Sequence, residues 1–73
     1  MDSYNVQLHW DDEAKVWWAD SEDIPGLIVE GDDVDELVKE ACLAASLLID
    51  MNNVERRNKL NFIYTRQAEV VFD

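Results

Sequence analysis

Apolar and polar residues alternate cleanly near the start of the chain. Tyr4, Val6, Leu8 and Trp10 fall on one face, and Asn5, Gln7 and His9 on the other. A period of two is that of a half-buried strand. Asp11, Asp12, Glu13, Ala14 and Lys15 follow as a polar connection, and Val16, Trp17, Trp18 and Ala19 read as a second strand, apolar on both faces. Two such runs joined by a short polar loop predict an antiparallel hairpin. Residues 21–26 form a loop that ends in Pro25-Gly26. Proline pre-sets its own φ and glycine tolerates φ > 0, so this pair fits the centre of a type II turn. Residues 27–30 predict a short third strand, which Gly31 ends.

The period changes at Asp33. Val34, Leu37, Val38, Ala41, Ala45, Leu48 and Ile49 make one stripe at about 100° per residue, which predicts a helix from Asp33 to about Asp50 or Met51. Asp33 and Glu36 have the spacing of a capping box, and Asp32, Asp33, Asp35 and Glu36 oppose the positive end of the helix dipole. Asn52-Asn53 tolerates left-handed geometry and ends the helix. Leu60, Phe62 and Tyr64 then alternate with Asn61, Ile63 and Thr65 as a fourth strand, and residues 68–72 are apolar enough to extend it or to reach another chain. The expected fold is α+β: an antiparallel sheet of three to four strands with one helix packed on one face, in the order β-β-β-α-β. With 73 residues and no repeat or linker, the whole chain, 1–73, reads as a single domain.

Charge narrows the function classes. Seventeen acids against six bases give a net charge of -11, and fourteen of those acids lie in residues 1–50 beside only two bases. Such a balance disfavours direct binding to nucleic acid or to an anionic membrane surface and suits a basic protein partner. A core this small also makes self-association an expected source of stability, as a homodimer or higher oligomer. One cysteine excludes an internal disulfide, and no secretory signal or membrane-length apolar run is visible, so the expected compartment is the cytoplasm.

The motifs, taken in order, have a further implication. Trp10-Asp11 precedes a polar hairpin, Val16-Trp17-Trp18-Ala19 and Ile24-Pro25-Gly26-Leu27 follow, and then comes Glu30-Gly31-Asp32-Asp33-Val34-Asp35-Glu36-Leu37. This series, over roughly residues 5–50, resembles the N-terminal domain of the HicB-like antitoxins and a related bacterial family of uncharacterised function. The resemblance implies a ββ(β)αβ domain that pairs with a small basic ribonuclease toxin of the HicA type and blocks its active site. Relatives of that kind usually add a C-terminal DNA-binding module. None follows the fourth strand here, so direct promoter binding is not expected.

Candidate residues divide along the same lines. An enzyme needs positioned acid, base or nucleophile groups. The single His9 and single Cys42 fall on different elements, so no catalytic residues are assigned, and Cys42 reads as a small buried hydrophobe. The acids at 32–36 lack the spacing of a calcium loop and are accounted for by helix capping, so neither a metal nor a cofactor is expected. Register allows Trp10 and Trp18 on the helix-covered face, which would turn Trp17 to the opposite face as an interface anchor. Leu43 and Leu47, at i and i+4, lie nearly opposite Val34 among Glu36, Lys39, Glu40 and Asp50 and form a second candidate contact. Asp11, Asp12, Glu22 and Asp23 are the loop acids expected to steer a basic partner. Arg56, Arg57 and Lys59 are too few against the total charge to make a nucleic-acid site. The expected function is therefore non-enzymatic masking of a small basic ribonuclease. The alternatives are a self-associating structural or regulatory module without a toxin, and an acidic inhibitor that mimics nucleic acid toward another enzyme.

Overall fold

The computed structural model describes residues 3–64. The chain runs β1 (Ser3–Asp11), β2 (Val16–Asp20), β3 (Ile28–Gly31), α1 (Val34–Met51) and β4 (Lys59–Tyr64). The apolar stretch at 68–72, read above as an extension of β4 or a contact with another chain, lies outside the described residues.

Each turn follows from its residues. Asp11 closes the first hairpin: its side-chain carboxylate accepts from the backbone N–H of Glu13 at 3.0 Å and of Ala14 at 3.1 Å. Its carbonyl accepts from the N–H of Lys15, which takes a left-handed φ of 57°. The resulting register sets Trp10 beside Trp17, His9 beside Trp18 and Leu8 beside Ala19. In the second connection the N–H of Leu27 donates to the carbonyl of Ile24 across Pro25-Gly26, and Gly26 has φ 83°. That is the expected type II turn, and it drives Ile24 and Leu27, on either side of it, fully into the core.

Helix α1 starts where its cap dictates. The Asp33 carboxylate accepts from the Glu36 N–H at 2.8 Å. Gly31 permits the close approach of helix to strand, since a Cβ there would meet the Leu37 nitrogen at 3.0 Å. At the other end Asn53 has φ 54°, and the Val54 N–H returns to the Ile49 carbonyl at 3.1 Å. This six-to-one bond, with the apolar Val54 packed on the core behind it, is a Schellman-type stop.

The sheet departs from the expected pairing. Its strands stand in the order β3-β2-β1-β4, and β4 runs parallel to β1, so the sheet is mixed and not purely antiparallel. The reason is directional. β1 and β3 both run opposite to β2, and a helix returns the chain so that the strand after it runs like the strand before it. β4 therefore lies parallel to β3 and, by pairing at the free edge of β1, parallel to β1 as well.

The helix covers one face. Tyr4, Val6, Leu8 and Ala19 from the sheet, Ile24 and Leu27 from the turn, and Leu37, Ala41 and Ala45 from the helix form the buried core. Val34, Ala44, Leu48, Ile49, Leu60 and Phe62 complete its margin. Fully burying one aliphatic side chain of this size contributes about 1.5–3 kcal/mol, so Ile24 and Leu37 carry a large share of the stability of so small a domain.

Candidate functional site

Register decides where the tryptophans point. Directly paired residues share a face of the sheet, so Trp10 and Trp17 stand together on the helix side, in line with Leu8 and Ala19. Trp18 lies on the open side with His9. This reverses the expected arrangement: Trp17, not Trp18, packs against the core. The four residues between Asp11 and Val16 set that pairing, and the run of alternation alone does not reveal it. Tyr64 joins the same face, because β4 pairs Tyr64 with Leu8. The Trp10 and Trp17 rings are 5.4 Å apart and the Trp17 and Tyr64 rings 5.2 Å apart, so the three form a row. Trp17 is half-buried in the middle, whereas Trp10 and Tyr64 remain 43% and 49% exposed. Neither Trp10 nor Tyr64 stood out in the sequence as a contact residue. The signal was their shared strand parity with Leu8, which becomes a spatial cluster only once the β1–β4 pairing is known.

The helix presents a second surface. Leu43 and Leu47 are each 66% exposed, and Met51, one further step along that flank, is exposed as well. Glu36 and Glu40 precede the leucines on the same outward arc of the helix, and both are exposed. Among the described residues nothing covers the expected pair, and exposed Lys39 lies beside it together with the two glutamates.

The loop acids separate into different classes. Glu22 is exposed. Asp12 is exposed and bonds to Lys15 at 3.0 Å. The Lys15 ammonium, with the Trp10 indole N–H as a smaller contribution, holds the Asp12 carboxyl below its ordinary value near 3.8. Asp11 spends its carboxylate on the hairpin turn. Asp23 is committed to the fold: it accepts from the Asn5 N–H at 2.8 Å and faces the Arg57 guanidinium at 3.6 Å. Of the four, Asp12 and Glu22 are the ones most available to a partner.

Arg57 organises the opposite end of the sheet. Its guanidinium donates to the Ser3 carbonyl at 2.8 Å and lies over the Tyr4 ring, 5.2 Å from the centroid. The Tyr4 hydroxyl in turn accepts from the Arg57 N–H at 2.9 Å and donates to the Glu55 carbonyl. Arg57 therefore serves to hold the connection between α1 and β4 against β1.

The two lone reactive side chains remain apart. His9 lies on the open face of the sheet, bonded to Asp20 at 2.8 Å and stacked on Trp18 with ring centroids 4.1 Å apart. Cys42 lies on the helix side of the sheet and is exposed, contrary to the buried position expected of it. It sits just beyond the apolar stripe, on the rim of a cleft of about 320 Å³ that Tyr4, Ser46, Arg56 and Lys59 also line. Among the described residues, no group of three or more His, Cys, Asp or Glu side chains is arranged to hold a metal ion. Nor is any described helix long and apolar enough to cross a membrane.

Comparison with known proteins extends these observations. The sequence matches the family described as a domain of unknown function, DUF1902, over residues 3–72. A solved structure, the hypothetical protein TTHA1013 from the extremely thermophilic bacterium Thermus thermophilus, is similar with a TM-score of 0.77 and 31% sequence identity. The match covers 96% of this chain and 99% of that one. No curated protein matches.

Proposed function

The chain belongs to the DUF1902 family; from the resemblance of its motifs and from the outer surface of α1, we propose that it is a non-enzymatic, HicB-like antitoxin domain that binds and masks a small basic ribonuclease of the HicA type. One observation carries the reading: Leu43 and Leu47 stand two-thirds exposed on a helix face where Glu36, Glu40 and Asp50 outnumber the single cation Lys39. An apolar centre with an acidic border suits a partner whose own contact surface is apolar and framed by lysine and arginine. The leucines supply the area removed from water, and Asp12, Glu22 and the helix acids raise the association rate. Such a role implies a cytoplasmic site of action and no direct contact between this chain and DNA.

The test is RNA cleavage by a purified small basic ribonuclease of the HicA type. Equimolar addition of the chain is expected to suppress cleavage, and a Leu43→Asp/Leu47→Asp variant with an unchanged circular dichroism spectrum is expected not to. Undiminished cleavage at tenfold excess of the wild-type chain rejects the reading.

A self-associating module is the second reading, favoured by the open sheet face. There Ile28 is 74% exposed on an edge strand, and Ile63 is exposed on the other edge strand. Sedimentation equilibrium at micromolar concentration is then expected to return at least a dimer, and a clean monomer excludes it.

A further inference from the structure

The row of rings on the helix side of the sheet lies apart from the leucine face of α1. Trp10, Trp17 and Tyr64 stand in contact, tilted by 56° and 36° to one another, with the two outer rings close to half exposed. Their surroundings are acidic. The Trp10 indole N–H points to the Asp12 carboxylate at 3.4 Å. Trp17 pairs with Gly31, which leads directly into Asp32 and Asp33 at the start of the helix. Lys15, the cation of this loop, is engaged with Asp12 and offsets its charge, so the net acidity beside the rings comes from Asp32 and Asp33.

An aromatic face attracts a cation, and the attraction grows where neighbouring carboxylates add to the field. We propose that the Trp10–Trp17–Tyr64 row is a binding ledge for arginine side chains of a basic protein segment. A guanidinium is planar, is weakly hydrated and stacks on rings, so it gains more here than a lysine ammonium does. Nucleic-acid bases also stack on such rings, but their phosphates meet the acids just named and a chain of net charge -11. The ledge is separate from the leucine face and does not require the partner to be a ribonuclease, so its test omits any ribonuclease.

The probe is a capped Gly-Arg-Gly-Arg-Gly peptide titrated into the intact chain at low salt. The indole N–H resonances of Trp10, Trp17 and Trp18 are followed by nuclear magnetic resonance. Trp18 lies on the opposite face and serves as the internal control. The Arg peptide is expected to shift Trp10 and Trp17 and leave Trp18 in place. A capped Gly-Lys-Gly-Lys-Gly peptide is expected to bind more weakly, and the corresponding citrulline peptide, neutral and of the same shape as the Arg peptide, to have no effect. Trp10→Leu and Tyr64→Leu are each expected to weaken binding about 2- to 5-fold, and Trp10→Phe to restore part of the loss. Equal movement of all three indoles overturns the proposal, because it reports diffuse attraction to the whole acidic surface. Unchanged affinity in both leucine variants, or stronger binding of an oligothymidine than of the Arg peptide, overturns it as well.

Discussion

The two ends of the sheet are built on opposite terms. At the Tyr4 end, one set of hydrogen bonds joins Tyr4, Arg57, Ser3 and Glu55, a second joins Asn5, Ser21 and Asp23, and the Arg57–Asp23 ion pair links the two. Strands, turn and helix exit are tied there into one unit. At the Trp10 end the same face of the same strands terminates in three rings, and two of them face water. Both ends contain acids and aromatics, so composition does not separate them. What separates them is whether the polar groups find partners within the chain. Groups already paired add stability and little recognition. Groups left open cost stability and remain available.

That contrast can be broken first at the core beneath the Tyr4 end. Ile24→Ala removes a side chain with no exposure, and a loss of about 2–5 kcal/mol is expected in urea denaturation. Tyr4→Phe keeps the ring and strands the Arg57 N–H and the Glu55 carbonyl; a loss of about 1–3 kcal/mol is expected in the same assay. Asp33→Ala removes the helix cap, for about 1 kcal/mol, read as a lower melting temperature. Trp10→Leu, at the open end, is expected to cost about 1 kcal/mol or less, the scale of one aromatic pair. A loss as large as that of Tyr4→Phe would remove the distinction between the ends.

Titration of Asp12 gives the smallest effect and the sharpest local reading. Its folded pKa lies below the unfolded value, so the favourable contact is present above the unfolded pKa and is lost as pH falls through the folded one. Carbon-13 detection of the Asp12 carboxyl should give a midpoint below 3.8, and Lys15→Gln should raise it.

Much of this fold is written locally. The alternation in β1, the Pro25-Gly26 turn, the Asp33 cap and the Asn53 stop are each decided by residues within a few positions, and each is where the pattern put it. The features that escaped the sequence are those that depend on distant pairing. The parallel alignment of β4 follows from which edge of the sheet was still free. The choice between Trp17 and Trp18 rests on the turn that Asp11 closes. Cys42 sits one step outside the stripe, where periodicity does not separate buried from exposed. Asp23 looked like a free loop acid because its partners, Asn5 and Arg57, lie far from it along the chain. The exposure of Leu43 and Leu47, by contrast, was legible, because helical angle alone sets it.

The alignment of Ser3 with Lys59 has a kinetic side. The first hairpin closes a loop of a few residues, whereas the β1–β4 ladder closes one more than tenfold longer. By chain statistics that difference is worth about 2 kcal/mol of extra closure entropy. The hairpin and helix can therefore nucleate on their own, and β4 is the strand expected to dock late and to peel away first. In native-state hydrogen exchange its amides should open at lower free energy than those β1 and β2 share. Each such excursion briefly turns the inner strand β1 into an unprotected edge, the template on which extended chains add themselves end over end.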